Sequence, residues 1–244
     1  VALPGRPPEY AAWNGIDMAS LFTEPFDLPV FVENDAAAAA SGEMQLGLGQ
    51  KYNSFFYVLL SSGLGGGFVV DGAYVRGANG RSGELGFMLA PDGNGGRETV
   101  QTLVSLSGLS RQLEAAGFSL TDIMHRTELA PEVQACVDAW IEAAARRLCT
   151  PMAAICCLIN PATVLVGGRL PTALVEQLAS RVNALMEDQA DVLPAIAPVA
   201  RAALSEDAPA VGAAVLPFSH FLLPKPGALW KTPALVGGEA VTAF

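Results

Sequence analysis

Charge is scarce in this sequence: only 16% of its 244 residues are Asp, Glu, Lys or Arg. Basic residues are scarcer still, 14 against 24 acidic ones, which leaves a formal charge of −10. A surface that acidic repels phosphate backbones, so these residues alone make a poor nucleic-acid binder. Cysteine is rare as well. Cys136, Cys149, Cys156 and Cys157 all fall in one predicted helical region, and the adjacent pair points to different faces of a helix. They suit buried thiols in a reducing compartment better than a disulfide framework. The two histidines, His125 and His220, are far apart and read as surface or capping residues. No zinc site can be assembled from Cys and His spacing. Long apolar runs are missing too: the best candidates, near 152–159 and 211–223, are cut short by Pro, His or Ser. No basic stretch leads into an apolar core at the amino terminus, so no secretion signal is visible. Together these absences predict a soluble, cytoplasmic protein without a membrane partner. What the chain does have is apolar residues, 51% of the total, which excludes a disordered polymer. Its length suffices for one large domain or two small ones.

The pattern alternates strands and helices, which favours an α/β fold with mixed sheets. Residues 28–33 (LPVFVE) read as a short buried strand. Residues 35–48 read as a helix, since five consecutive alanines have high helix propensity. Asn34 or Asp35 stands where its N-cap belongs. Residues 54–60 read as a strand running into the Gly-rich segment 61–67. Residues 68–70, the turn Asp71-Gly72 and 73–76 read as a hairpin. Residues 77–97 read as an ordered loop with little regular structure. Helices are expected at 99–116, 131–159, 172–186 and 208–223, and strands at 162–166 and 196–200. The tail, 224–244, has no clear period, and there is no internal repeat. Val1-Ala2-Leu3-Pro4-Gly5 looks like the end of a buried strand, which suggests a piece of something longer.

Three places could carry chemistry. Glu33-Asn34-Asp35 puts carboxylates and a carboxamide where a strand meets a helix, a rigid spot whose helix amides attract anions. By residue type alone, Asn34 or Asp35 reads more readily as a helix cap. Ser61-Ser62-Gly63-Leu64-Gly65-Gly66-Gly67 could bring backbone amides and hydroxyls close to phosphate. It lacks the Gly-Lys-Ser/Thr of a Walker loop, and a tight hairpin explains it equally well. Gly83-Glu84-Leu85-Gly86 offers a loop carboxylate suited to sugar hydroxyls, or merely a solvated acid.

The order of these pieces changes their weight. Residues 28–43 (LPVFVENDAAAAASGE), then 61–67 (SSGLGGG), then 71–86 (DGAYVRGANGRSGELG) resemble the ROK family of bacterial repressors and sugar kinases. So do Asn160-Pro161, the following strand and Gly167-Gly168, together with Val211-Gly212-Ala213-Ala214 in a closing helix. The resemblance covers about 1–223. It implies an actin-like (ribonuclease H-like) ATPase fold, with 1–30 as the end of an incomplete amino-terminal lobe, 31–207 as the carboxy-terminal lobe, 208–223 as the closing helix and 224–244 as an irregular tail. It further implies that Asp35 matches the catalytic base of the kinases, and that Asn34, Asp35, Glu84 and Gln101 occupy sugar-binding positions. Ser61, Ser62, Gly63, Gly65 and Gly66, with Gly167 and Gly168, would face phosphates or nucleotide.

Family members commonly follow Gly-Glu-x-Gly with His and then a Cys-x-Cys-Gly-x-x-Gly-Cys-x-Glu segment that binds structural zinc. Here Phe87 stands at the His position, Asp92, Asn94 and Thr99 at the cysteines, and Gln101 at the glutamate. Phe and neutral oxygens cannot replace imidazole and thiolates at tetrahedral zinc, so no metal is expected. The resulting expectation is the sugar-sensing domain of a homodimeric transcriptional regulator. It would bind a hexose or amino sugar, and reach DNA only through a helix-turn-helix outside these residues. The alternative is a zinc-independent sugar kinase, the one case that would require ATP and Mg²⁺.

Overall fold

A computed structural model describes residues 15–26, 28–93, 95–124, 126 and 128–222. The expected strand end at 1–5, the tail, Asn94 and His125 lie outside the described residues.

The sheet is built around β1 (Phe55–Leu60), whose six residues are all buried. A continuous apolar run of that kind belongs to a strand covered on both faces. Beside it lie β2 (Leu64–Val70) and β3 (Ala73–Tyr74) on one side, β6 (Thr163–Gly168) and β7 (Val199–Arg201) on the other. The order is β3-β2-β1-β6-β7, with β2 antiparallel and β6 parallel to β1, hence a mixed five-stranded sheet. A separate hairpin pairs β4 (Leu89–Pro91) with β5 (Arg97–Thr99).

Alternation along β1 divides the core in two. Phe56, Val58 and Leu60 enter a large cluster with Trp140 and Leu148 of α5 (Pro131–Leu158) and Leu178 of α6 (Thr172–Glu187). Phe55, Tyr57 and Leu59 face a smaller cluster with Ala36, Ala39 and Ala40 of α2 (Asp35–Leu46) and Ala208 of α7 (Ala208–Phe221). The alanine run therefore does more than favour helix. It presents a surface with almost no side-chain height, and α7 lies directly on it. A Cβ on Gly42 would stand 2.9 Å from the Ala208 carbonyl oxygen, and one on Gly212 would collide with the Ala38 carbonyl.

Glu43 closes the far end of α2. It is fully buried, and its carboxylate accepts backbone N–H groups from Leu48 (3.1 Å), Ala203 (2.6 Å) and Leu204 (3.1 Å). These bonds tie α2 to the link between β7 and α7.

Several expectations need correction. Residues 28–33 join neither sheet, and Leu28 and Val32 are 62% and 59% exposed. A short apolar run predicts a buried strand, but no neighbouring strand among the described residues supplies the ladder. A helix, α1 (Met18–Phe26), precedes it and was not expected. The single helix at 99–116 is broken into α3 (Val100–Leu103) and α4 (Leu106–Ala115). Ser105 makes the break: its hydroxyl accepts the Gly108 N–H at 3.0 Å as N-cap of α4 and donates to the Gln101 carbonyl at 2.7 Å. The Gly-rich stretch 77–97 contains most of the β4–β5 hairpin, so it is more regular than its composition suggests. Gly167 and Gly168 belong to β6 itself, and the 61–67 segment is a three-residue turn, 61–63, followed by β2. All four cysteines are free thiols on α5, with Cys156 buried and Cys157 exposed. None of the described helices is long and apolar enough to cross a membrane.

Candidate functional site

The corner between residues 33 and 36 is fixed by two side chains. Asn34 keeps an extended backbone, and its Oδ1 accepts the N–H groups of Ala36 (2.9 Å) and Ala37 (3.2 Å). Asn34 is thus the cap and Asp35 the first helical residue. Asp35 also accepts the Ala36 N–H at 2.9 Å, and its charge sits at the positive end of α2. Both side chains are exposed. The cap occupies the Asn34 oxygen, so its NH₂ is the group it can offer a ligand.

Glu33, just upstream, has a side chain only 8% exposed. A carboxylate that buried needs partners. It takes the Arg76 Nη1 at 2.9 Å and the Asn34 N–H at 3.1 Å, clamping the corner to the segment after β3. On the same segment the Tyr74 hydroxyl lies 3.3 Å from Ser82 Oγ, which in turn donates to the Val75 carbonyl. Burial raises the Tyr74 phenol above its ordinary range, and the nearby charges of Glu33 and Glu84 push the same way against Ser82 and Arg76.

Strand β2 makes the close approach possible. Gly65 and Gly67 face α2: a Cβ on Gly65 would lie 2.8 Å from the Ala36 methyl, and one on Gly67 3.0 Å from the Ala36 carbonyl oxygen. Gly66 faces the other way, against the Gly83 carbonyl and Leu85, and Gly83 itself has φ +82°, a conformation glycine adopts without penalty. The first turn of α2 and the Gly83-Glu84 turn thus meet the same thin strand from its two faces. Half-buried Glu84 follows directly on that contact.

The turn 61–63 lies at the adjoining end of the sheet. Ser61 donates to the Gly63 carbonyl at 3.0 Å, and the Ser61 carbonyl accepts from Leu106 at 2.9 Å. A Cβ on Gly63 would be 3.1 Å from Gln101 Oε1, so Gln101 lies over this turn. Leu60 pairs with Leu64 on one side and Gly168 on the other, and its carbonyl accepts the Arg169 N–H at 3.0 Å. Asn34, Asp35, Ser61, Ser62, Gly63, Gly65, Gly66, Glu84, Gln101, Gly167 and Gly168 are thereby gathered at one end of the sheet. Asn34 and Asp35 approach β2 from the α2 side, Glu84 and Gln101 from the other. Two surface hollows lie elsewhere, along α6 and between 123–134 and 171–177. His220 packs its ring against Phe31 and Phe221.

Two of the positions that zinc ligands would occupy, Asp92 and Thr99, are committed to other contacts. Asp92 accepts the Gly96 N–H at 2.8 Å and closes the hairpin turn, the Thr99 hydroxyl pairs with that of Thr102 at 3.0 Å, and Phe87 has no donor atom. Among the described residues no group of three His, Cys, Asp or Glu side chains could hold a metal. These residues do not fit zinc. Elemental analysis of purified protein is expected to find no stoichiometric zinc, and chelators should leave its melting temperature unchanged. One tightly held zinc per chain would overturn the alignment of 92–101.

A mixed sheet flanked by helices, with its polar residues gathered where β1 and β6 end and β2 begins, defines an α/β protein of the actin-like ATPase class. The chain belongs to the ROK family, whose family model matches residues 6–219. Over 213 residues it is 32% identical to the uncharacterized protein y4fQ of Sinorhizobium fredii, covering 86% of this chain and 52% of that one. It is 41% identical to the xylose repressor of Bacillus spizizenii over 76 residues, 31% of this chain and 20% of the repressor. The ROK hexokinase of Thermus thermophilus superposes with a TM-score of 0.62 at 27% identity, covering 81% of this chain and 67% of the hexokinase. The chain thus spans about half the length, or less, of these curated relatives.

Sequence reasoning did not anticipate the Glu33–Arg76 clamp or the Tyr74–Ser82 contact. The partners lie 43 and 8 residues apart, and no local pattern links them. The one available signal was Glu33 itself, an acid inside an apolar run.

Proposed function

We propose that this chain is the sugar-sensing part of a homodimeric, cytoplasmic ROK-type transcriptional regulator, with a hexose or amino sugar as its ligand. In this reading 31–207 form the carboxy-terminal lobe, 208–223 its closing helix, and DNA is bound outside these residues. The observation that carries it is the mixed state of the site. Asn34, Asp35 and Glu84 retain groups that bind sugar hydroxyls, while Phe87 and Gln101 stand where the family resemblance implies His and Glu. A kinase must align the hydroxyl with the γ-phosphate closely, because phosphoryl transfer is mostly positioning and electrostatics. A sensor needs only different affinities for a ligand in two states. The kinship with a xylose repressor supports the regulator, and the kinship with a hexokinase supports sugar as the ligand class.

The test is calorimetric titration of the full chain with D-glucose, D-xylose and N-acetyl-D-mannosamine. One of them should bind, and Asp35→Ala and Glu84→Ala should each weaken it by roughly 1.5–3 kcal/mol, the range for hydrogen bonds to charged groups. Binding that survives both substitutions unchanged would place the sugar elsewhere.

A further inference from the structure

Gln101 lies in α3, a helix of only four residues that cannot hold itself in place. Its last carbonyls are held by side chains from outside: Gln101 by Ser105, Thr102 by Arg111, and Leu103 by Trp140 Nε1 at 3.1 Å. Just before it, Glu98 of β5 takes Arg147 Nη1 at 3.0 Å. Glu98 pairs across the hairpin with buried Ala90, so it is on the inward face, where a carboxylate requires a partner. Trp140 and Arg147 are seven residues apart on α5, two turns along one face of the same helix. That helix is anchored in the large core through Ile141, Ala144, Ala145 and Leu148. Gln101 is therefore bracketed, three residues after one anchor and two before the other, by side chains from a single rigid element.

We propose that Arg147 and Trp140 are positioning residues that hold Gln101 over the Gly63 turn. The sugar-affinity part of this inference rests on the sugar-binding reading above. The Arg147 side chain is 13% exposed and that of Glu98 30%, so the pair is shielded more than a surface ion pair and works at short range. The Glu142–Arg181 pair also starts from α5 but reaches α6 instead, and it serves as a control.

The test combines amide hydrogen exchange at 97–104 with sugar titration of the full chain, using D-glucose, D-xylose and N-acetyl-D-mannosamine. Arg147→Met keeps the apolar stem and removes the charge, Glu98→Gln removes the other charge, and both keep the core intact. Each is expected to speed exchange at 97–104 about fivefold while β1 stays protected, and to weaken sugar binding by a similar factor. Arg147→Lys should restore most of both, and Arg181→Met should change neither. Unchanged exchange in Arg147→Met overturns the brace. Faster exchange with full sugar affinity, or equal weakening by Arg181→Met, overturns the positioning role. If the unaltered protein binds none of the three sugars, the sugar-binding reading falls and the exchange comparison alone decides the brace.

Discussion

Glu43→Ala is expected to cost about 3–5 kcal/mol, because three backbone donors lose their acceptor at once, at about 1–3 kcal/mol for each that stays buried. Leu48, Ala203 and Leu204 would each be left with a backbone N–H facing a space that water does not reach freely. A buried donor without its acceptor costs about 1–3 kcal/mol. The total is a large fraction of the roughly 5–15 kcal/mol that holds an ordinary domain together. Glu43→Gln keeps one acceptor oxygen but turns an NH₂ toward at least one of those donors, and about half the loss should remain. Urea unfolding followed by circular dichroism measures both. A loss under about 1 kcal/mol in Glu43→Ala would mean that the carboxylate does not join α2 to the β7–α7 link.

The full-length protein is expected to show little or no sugar kinase activity although Asp35 is present. A positioned aspartate base contributes about 10²–10⁴-fold, and only when hydroxyl and γ-phosphate are already aligned. Phe87 can neither donate nor accept the hydrogen bonds of an imidazole, and Gln101 brings no negative charge. Asp35 itself is exposed at the helix start. Residual activity should therefore combine a high KM with a low kcat. Coupled detection of ADP release, with hexoses, amino sugars and their N-acetyl forms, is the assay. Turnover above about 1 s⁻¹, within the ordinary enzyme range, and abolished by Asp35→Ala, would make the protein a working kinase.

Much of the framework was legible in the sequence because the relevant signals are local. The aromatic and branched run FFYVLL reads as a strand and the alanine run as a helix from residue type alone. That the first is covered on both faces and the second packs backbone against backbone is visible only in the structure. Pro131 at the first turn of α5 marks its start. Residues 28–33 misled because a short apolar run reports surface that could be covered, not a strand partner that is present. The break at Ser105 was missed because a serine within an apolar helical period is weaker punctuation than Gly or Pro, and its two hydrogen bonds become apparent only in three dimensions. At the candidate site, motif order and the family resemblance were what pointed to Asn34, Asp35 and Glu84 as a group. The contacts that hold it together, Glu33 with Arg76 and Glu98 with Arg147, join residues 43 and 49 positions apart. Opposite charges that distant leave no trace in a periodicity.

The seam between α2 and α7 has a mechanical consequence. Helices slide past one another when a layer of side chains between them can change rotamer and settle into a new register. Between Ala38, Gly42 and Gly212 there is no such layer, since backbone rests on backbone. Close backbone contact restricts shear along this seam, so α2 and α7 are expected to move together. A sugar that pulls on Asp35 at the start of α2 would move the far end of α7 by the same rotation.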